Sequence, residues 1–318
     1  MIAQNLEAST FPKEHFVIAT APALDADLKP PAELVQALKK RLGQLQMLPA
    51  VAQEALQMVK DPDCSISQFT SVIKRDVKLT ADILKMANSA LYCPVTPILD
   101  LNRCVMRVGF RECQYLILSA SIASLMNRIT MAQEWVRETL WRHSFTTGLL
   151  ATRINRTFHL GFQGEEFTAG LLHDFGRILF ATIVPETFLT FDPLDFDESP
   201  EQLEREFEAT GTDHCRLAAW FTNDNQMPVP IPSVILHHHE PELAEEHQRL
   251  TALIAVADQL ANDWERLGDR VSEDFTPSPA LSLLVDDDDG AFAAGFAAMA
   301  PTLLADAQRD AEAMMSAK

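Results

Sequence analysis

Apolar residues in this chain recur at i, i+3, i+4 and i+7 from about residue 32 to about residue 267, and almost nowhere alternate. No β-branched alternating run and no Asn-Gly hairpin signal is present, so the pattern predicts an all-α fold. The spacing places helices over about 32–46, 50–60, 65–75, 78–90, 98–107, 110–129 and, as the longest, 134–159. Further helices are expected over about 165–172, 174–183, 213–222, 231–239 and 243–267, with an Ala/Met-rich helix at the C-terminal end. Ser65 is suited to N-cap the third of these. Pro12, Pro22 and the pair Pro30-Pro31 mark residues 1–30 as an irregular arm, and the acidic, proline-bearing stretch 190–200 reads as loop. Asp286 to Asp289, followed by Gly290, read as a solvated loop rather than a metal loop. The expected organisation is therefore an arm (1–30), a proximal helical half (31–130), a distal helical bundle (131–268), and an acidic loop with a final helix (269–318).

Ionisable side chains interrupt the apolar stripes. Asp258 lies on the face of Leu250, Leu253, Ile254, Ala257 and Ala261. Asp174, directly after His173, shares a face with Leu171 and Ile178, and His143 falls within the stripe Val136, Leu140, Thr147, Leu150, Ile154. His214 opens a helix whose apolar face is Leu217, Ala218 and Phe221. His238 continues the stripe of Ile231, Val234 and Ile235, and His239 follows Ile235 by four. A buried unpaired carboxylate costs several kcal/mol, so these groups must be protonated, paired or bound to metal. One buried histidine is ordinarily a hydrogen-bonded core residue. Several histidines and two aspartates on inward faces suit iron, zinc, manganese or nickel instead, because facing helices can present imidazole and carboxylate to one point. The bland alternative is a polar core in which the groups simply pair, for example His173 with Asp258.

Composition narrows the partners. A formal charge of −19 argues against a nucleic-acid backbone as partner, which would need a basic stripe. Residues 191–247 hold fourteen acids and two arginines, a balance expected to repel anionic lipid. After Lys85 no lysine occurs until Lys318, so a phosphate clamp in the distal half would rely on arginine, helix N-termini or metal. No apolar run approaches the ~18–20 residues of a bilayer span, and residues 1–20 lack a basic leader with a continuous apolar stretch, so a cytoplasmic location is expected. The five cysteines, at 64, 93, 104, 113 and 215, show no C-x-x-C spacing and read as reduced core or surface thiols. Trp141, Trp220 and the tail methionines 299, 314 and 315 read as packing residues.

The order His143 … His173-Asp174 … Asp258 resembles the HD superfamily of metal-dependent phosphohydrolases. Leu48-Pro-Ala-Val-Ala52, Asp61-Pro-Asp63, Ile73-Lys-Arg-Asp76, Leu79-Thr-Ala81 and Leu84 to Ala90 resemble the first half of an HDOD domain. Leu140-Trp-Arg-His-Ser144, Ala169 to Arg177, His214 and His238-His-Glu-Pro241 resemble its second half, so that the likeness spans roughly 42–265. It implies an HDOD fold, in which an N-terminal helical subdomain packs on an HD-type bundle. It also implies a bacterial signalling module without demonstrated hydrolysis, acting on protein partners.

Related HD-GYP phosphodiesterases cleave cyclic di-GMP on a metal cluster. By that likeness His143, His173, Asp174, His214, His238, His239 and Asp258 would hold a divalent metal, drawn from iron, manganese, zinc, nickel and magnesium. If the chain hydrolyses phosphoesters, Asp174 would bridge the metals, and Arg177 or Arg142 would orient phosphate. Three departures argue against a cyclic-dinucleotide substrate and turnover. Pro-Glu-Leu-Ala follows Glu240 in place of a Gly-Tyr-Pro segment, Arg177 stands where a lysine is common, and Thr139 stands where a bridging glutamate is expected, with Glu138 one residue off.

Overall fold

The computed structural model describes residues 28–42, 47–59, 61, 63–89, 92, 95–197, 200–268, 278–285 and 290–316. The expected arm, except its last residues, and the Asp286–Asp289 run lie outside them. Among the described residues every regular element is a helix.

The proximal half is built from short helices: α1 (Ala32–Leu42), α2 (Ala50–Met58), α3 (Ile66–Ile73), α4 (Val77–Ala87), α5 (Leu101–Val108) and α6 (Phe110–Met126). Their boundaries follow local chemistry. Ser65 and Gln68 form a reciprocal capping box at α3, and the carboxylates of Asp76 and Asp100 accept from the backbone N–H groups of Leu79 and Arg103 to start α4 and α5. Between α5 and α6 the chain turns at Gly109 with φ +90°, a conformation open to glycine and costly for other residues. Helix α6 is buried along most of its length, from Cys113 to Ile122 without a break. It packs against α2, α4 and α5 on one side and against the distal half on the other. A helix apolar on all sides belongs at the centre of a domain, and here it joins the two halves.

The distal half comprises α7 (Glu134–Phe158), α8 (Glu165–Leu172), α9 (Phe175–Ile183), α10 (Phe188–Phe191), α11 (Pro200–Thr210), α12 (His214–Asp224), α13 (Ile231–His237), α14 (Gln248–Leu267) and α15 (Ala291–Ser316). Single 3-10 turns occupy Pro241–Leu243 and Pro279–Leu283. Two points differ from the sequence reading. The stretch 190–200 is non-helical over 192–197, but α10 and α11 flank it where no helix was expected, and the helix expected over 243–267 begins at Gln248 after the 3-10 turn. The acidic sequence of α11 hides its role, because its carboxylates are not all at the surface.

Helix α7 is the spine: α8, α14 and α15 all pack on it. The approach of α7 and α8 is set by two glycines. A Cβ on Gly170 would lie 2.7 Å from the Gly148 Cα, and one on Gly148 would lie 2.8 Å from the Phe167 carbonyl oxygen. Likewise a Cβ on Gly176 in α9 would lie 2.0 Å from the carbonyl oxygen of His214 in α12. The final helix lies along α7 as the apolar pattern suggests. Arg153 pairs with Asp306 and Asp310, and Phe158 meets the rings of Phe292 and Phe296 at 5.1 and 6.0 Å. No helix among the described residues is long and apolar enough to cross a membrane.

Candidate metal centre

Five elements converge on Asp174, the residue between α8 and α9. His143 comes from the middle of α7, His173 from the end of α8, His214 from the first position of α12, His238 and His239 from the end of α13, and Asp258 from the middle of α14. His143, His173, Asp174, His214, His238 and Asp258 are buried and His239 is half-buried. All seven residues singled out in the sequence thus stand in one place.

The centre has two sides, one for each oxygen of Asp174. On the first, Oδ2 lies 3.7 Å from His143 Nε2 and 3.6 Å from His173 Nε2. The same two nitrogens lie 2.9 and 3.1 Å from Asp258 Oδ1. On the second, Oδ1 lies 3.4 Å from His214 Nε2 and 3.8 Å from His238 Nε2. His239 Nε2 stands 3.1 Å from His214 Nε2.

His214 and His238 on the second side, and His173 on the first, are oriented from behind. His173 Nδ1 donates to the Gly170 carbonyl at 2.7 Å and His238 Nδ1 to the Ile235 carbonyl at 2.8 Å. His214 Nδ1 meets the Glu206 carboxylate at 2.8 Å, and the His214 backbone N–H donates to the same group at 2.7 Å. A ring that donates through Nδ1 points the Nε2 lone pair inward when neutral, as a metal ligand must.

The charges follow from this enclosure. Burial alone would raise the carboxyl of Asp174, but the Arg177 guanidinium and the surrounding imidazoles hold it well below the usual carboxylate range. Burial likewise opposes ionisation of Asp258, and the charge of His173 with the hydrogen bonds from His143 and His173 outweighs it, so this carboxyl is also held low. His214 is pushed well above its ordinary value: burial works against that, and the neighbouring Cys215 and Glu206 overcome it. His238 is raised in the same way by Cys215 and Asp174. His239 is lowered by burial and by its neighbour His238.

Whether these residues suit a metal can be judged from atoms left over. Asp174 Oδ1 and His238 Nε2 are buried, face each other, and have no hydrogen-bond partner. The His214 and His239 nitrogens, both Nε2, confront each other directly. Buried unsatisfied polar atoms such as Asp174 Oδ1 and His238 Nε2 are costly, and the two Nε2 atoms of His214 and His239 need either a proton or a shared cation between them. Ligands bound at about 2.1 Å in a tetrahedral shell lie roughly 3.4 Å apart, close to the separations across both sides. The donor set fits a divalent metal. The paired-core alternative is partly drawn as well, in the contact of His173 with Asp258.

Two residues expected to face phosphate are placed otherwise. Arg177 is buried: its Nη1 donates to Asp174 at 2.8 Å, and its Nε and Nη2 donate to Asp192 at 2.8 and 2.9 Å. Its guanidinium carbon also lies 5.3 Å from the centre of the Phe196 ring. Phe196 in turn sits 4.9 Å from the His143 ring, in a backbone turn with φ +55°. Arg142 is half-exposed and pairs with Glu265 at 3.3 Å. Thr139 is half-buried and Glu138 exposed, so the neighbouring glutamate does not take the bridging position.

Three residues of the centre escaped the sequence reading. Glu206 is buried on α11 and orients His214. Asp192 is buried and anchors Arg177. Cys215, read as one thiol among five, lies within the histidine group, with Sγ 3.4 Å from His214 Nε2 and 3.9 Å from His238 Nδ1. Burial would raise this thiol, but the imidazoles of His214, His238 and His239 hold it well below its ordinary value. The buried face of α11 carries Gln202 and Glu206, four apart and both polar, so no apolar stripe marks Glu206, and nothing in the sequence marks Asp192.

Fold and site together define an all-α domain assembled around a buried His–Asp centre. Residues 45–241 match the model of the HDOD domain, which is more than half of the chain, and the chain belongs to the HDOD family. Helix α14, with Asp258, lies beyond the matched span. An HDOD domain protein of unknown function from Geobacter sulfurreducens has the same fold at TM-score 0.65 and 23% identity, covering 87% of this chain and 98% of its own. A candidate phosphohydrolase from Shewanella amazonensis SB2B is similar at TM-score 0.63 and 20% identity, covering 89% and 99%. A candidate signal transduction protein from Marinobacter aquaeolei VT8 is similar at TM-score 0.59 and 19% identity, covering 95% and 68%. An uncharacterised protein of Treponema pallidum is 26% identical over 229 residues, 71% of this chain but 44% of that protein, so the chain spans less than half of that relative.

Proposed function

We propose that this chain is a non-catalytic signal-transduction module of the HDOD type, which holds a divalent metal at its His–Asp centre and acts by docking to protein partners. The observation that carries this reading is the state of Arg177. A hydrolase must hold the charge of the phosphoryl group with a cation or metal. Here the arginine nearest the centre is buried between Asp174 and Asp192, beneath Phe196. In the cleft of about 420 Å³ that reaches His238, His239 and Asp258, Arg266 is the arginine among the described lining residues, which include no lysine. It is paired with Asp197 at 3.2 Å and with Asp263 at 2.7 Å. With Glu242 also in the wall, the cleft is acidic and disfavours an anionic cyclic dinucleotide. Large apolar side chains on the proximal half, Val77, Val95, Leu99 and Met106, are 66–94% exposed and supply surface for protein contact.

His143, His173, Asp174 and Asp258 would hold metal on the first side, and His214, His238, His239 and Asp174 on the second. A bound metal would supply charge neutralisation that locks α7, α8, α12, α13 and α14 together. The chain's own residues orient these ligands, with Phe196 packed against the His143 ring.

The second reading, a metal-dependent phosphohydrolase, is favoured by one observation: the 420 Å³ cleft opens directly onto three of the seven site residues. The test is an assay of purified protein loaded in turn with manganese, iron(II) and zinc, against cyclic di-GMP and an activated aryl phosphodiester. No turnover above the metal-only rate is expected. Metal-dependent turnover abolished by Asp174→Ala would replace the signalling reading with the hydrolase.

A further inference from the structure

We infer that Cys215 is a ligand of this centre, giving its second side a mixed sulfur and nitrogen donor set that selects a thiophilic cation, zinc or iron(II), over magnesium. The inference rests on the metal-binding reading above and adds to it a ligand and a choice of metal. His214, Cys215, His238 and His239 each offer one donor atom within 4.8 Å of the others. Cys215 Sγ lies 3.4 Å from His214 Nε2, and that nitrogen lies 3.1 Å from His239 Nε2. Around a tetrahedral ion with metal–nitrogen bonds of about 2.0–2.1 Å and a metal–sulfur bond of about 2.3 Å, donor atoms stand roughly 3.3–3.7 Å apart. His238 meets the sulfur at 3.9 Å through Nδ1, which is already donated to Ile235, so its own lone pair turns toward Asp174. The sulfur set is therefore His214, Cys215 and His239.

The position of the thiol is not that of an ordinary core cysteine. Cys104 and Cys113, also buried, face each other at 3.8 Å in the proximal half. Cys215 instead sits beside three imidazoles and lines, with His239, an outer cleft of about 590 Å³. A cation can reach sulfur from that side without passing Phe196, which satisfies the need for an entry path. Soft thiolate favours zinc and iron over hard magnesium, which prefers oxygen donors and keeps its waters.

The experiment titrates metal-free full-length protein with cobalt(II), which replaces zinc in such sites and reports its ligands by colour. The expected result is a near-ultraviolet thiolate-to-cobalt charge-transfer band that saturates with binding. The band is absent from Cys215→Ser and retained in Cys64→Ser and Cys104→Ser. Zinc affinity should fall at least about tenfold in Cys215→Ser, and magnesium affinity should stay unchanged within about twofold. If Cys215→Ser does not fold, X-ray absorption of the zinc-loaded parent decides, since a sulfur ligand scatters at about 2.3 Å. Cobalt bound with d–d bands but no thiolate band, or zinc without a sulfur scatterer, overturns the assignment of Cys215 and leaves metal binding standing. A protein that binds no cobalt, zinc or iron overturns both.

Discussion

The two sides of Asp174 are built on different terms. The first side is internally paired: His143 and His173 are shared between two aspartates, Phe196 lies against His143, the donors are oxygen and nitrogen, and Asp258 and His143 also border clefts. The second side holds three histidines and a thiol with no second aspartate, is braced from outside by Glu206, and borders two clefts. A set with internal carboxylates satisfies most of its polar atoms by hydrogen bonds, His143 Nδ1 excepted. The second set leaves lone pairs confronting each other and depends on a cation or on extra protons. One side resembles a salt-bridged core, and the other a socket.

The largest expected effect comes from removing what the sides share. Asp174→Ala should destabilise the metal-free protein by about 3–5 kcal/mol in urea unfolding, because it strands part of the Arg177 charge and two sets of imidazoles. A cost under about 1 kcal/mol would mean that the two sides are independent of this carboxylate.

Metal removal should come next. The loaded protein is expected to lose about 2.7 kcal/mol on chelation if metal is present at 100 times its dissociation constant, read as a fall in melting temperature. Indifference to chelator in a protein empty of metal would reduce both sides to a paired polar core.

Glu206→Gln separates the sides. It removes the carboxylate behind His214 and should weaken metal binding on the second side by about 10–100-fold while leaving the first side unchanged, as calorimetry would resolve. Equal weakening of both sides would erase the distinction.

The smallest signals are slopes against pH, each worth at most about 1.4 kcal/mol per pH unit for one proton. On the first side Asp258 is held well below its ordinary value of 3.8, so its stabilisation is present above that pH and is lost as pH falls through the depressed folded value. On the second side His214 is raised above 6.5, so its stabilisation is complete below that pH and is lost as pH rises through the folded value. Metal-free protein should therefore lose stability at both ends. Asp258→Asn should flatten the acid limb and His214→Gln the alkaline limb, and metal should flatten the alkaline limb of the parent. A single limb abolished by either substitution would show one coupled network in place of two sides.

These sides also differ in how far the sequence revealed them. His143, Asp174 and Asp258 stand on apolar stripes, where an ionisable residue is conspicuous, and the helices carrying them have strong 3.6-residue periodicity. The helical architecture was legible for the same reason, except at α10 and α11. Helix α11 contributes to the centre through Glu206, one acid in a segment whose composition reads as solvated surface. Sequence counts charges but does not say which of fourteen acids turn inward, and Asp192, Glu206 and Asp213 do. Arg177 was legible as a member of the site but not in its role, because its pairing with Asp192 is made by a loop that carries no periodic signal. Cys215 lacked any spacing signal, since apart from its neighbour His214 the imidazoles around it lie 23 and 24 residues away, at the end of another helix.

The contact between Gly148 and Gly170 bears on these distances from outside the centre. Gly148 lies five residues beyond His143 on α7, and Gly170 lies three before His173, whose ring it also holds through its carbonyl. The gap between those two imidazoles is thus gauged by two missing side chains several ångströms away. A methyl group added at either position would act as a shim between helices. It would widen the jaws of the site without touching a single donor atom, so any preference among ions would be set partly by residues that never meet them.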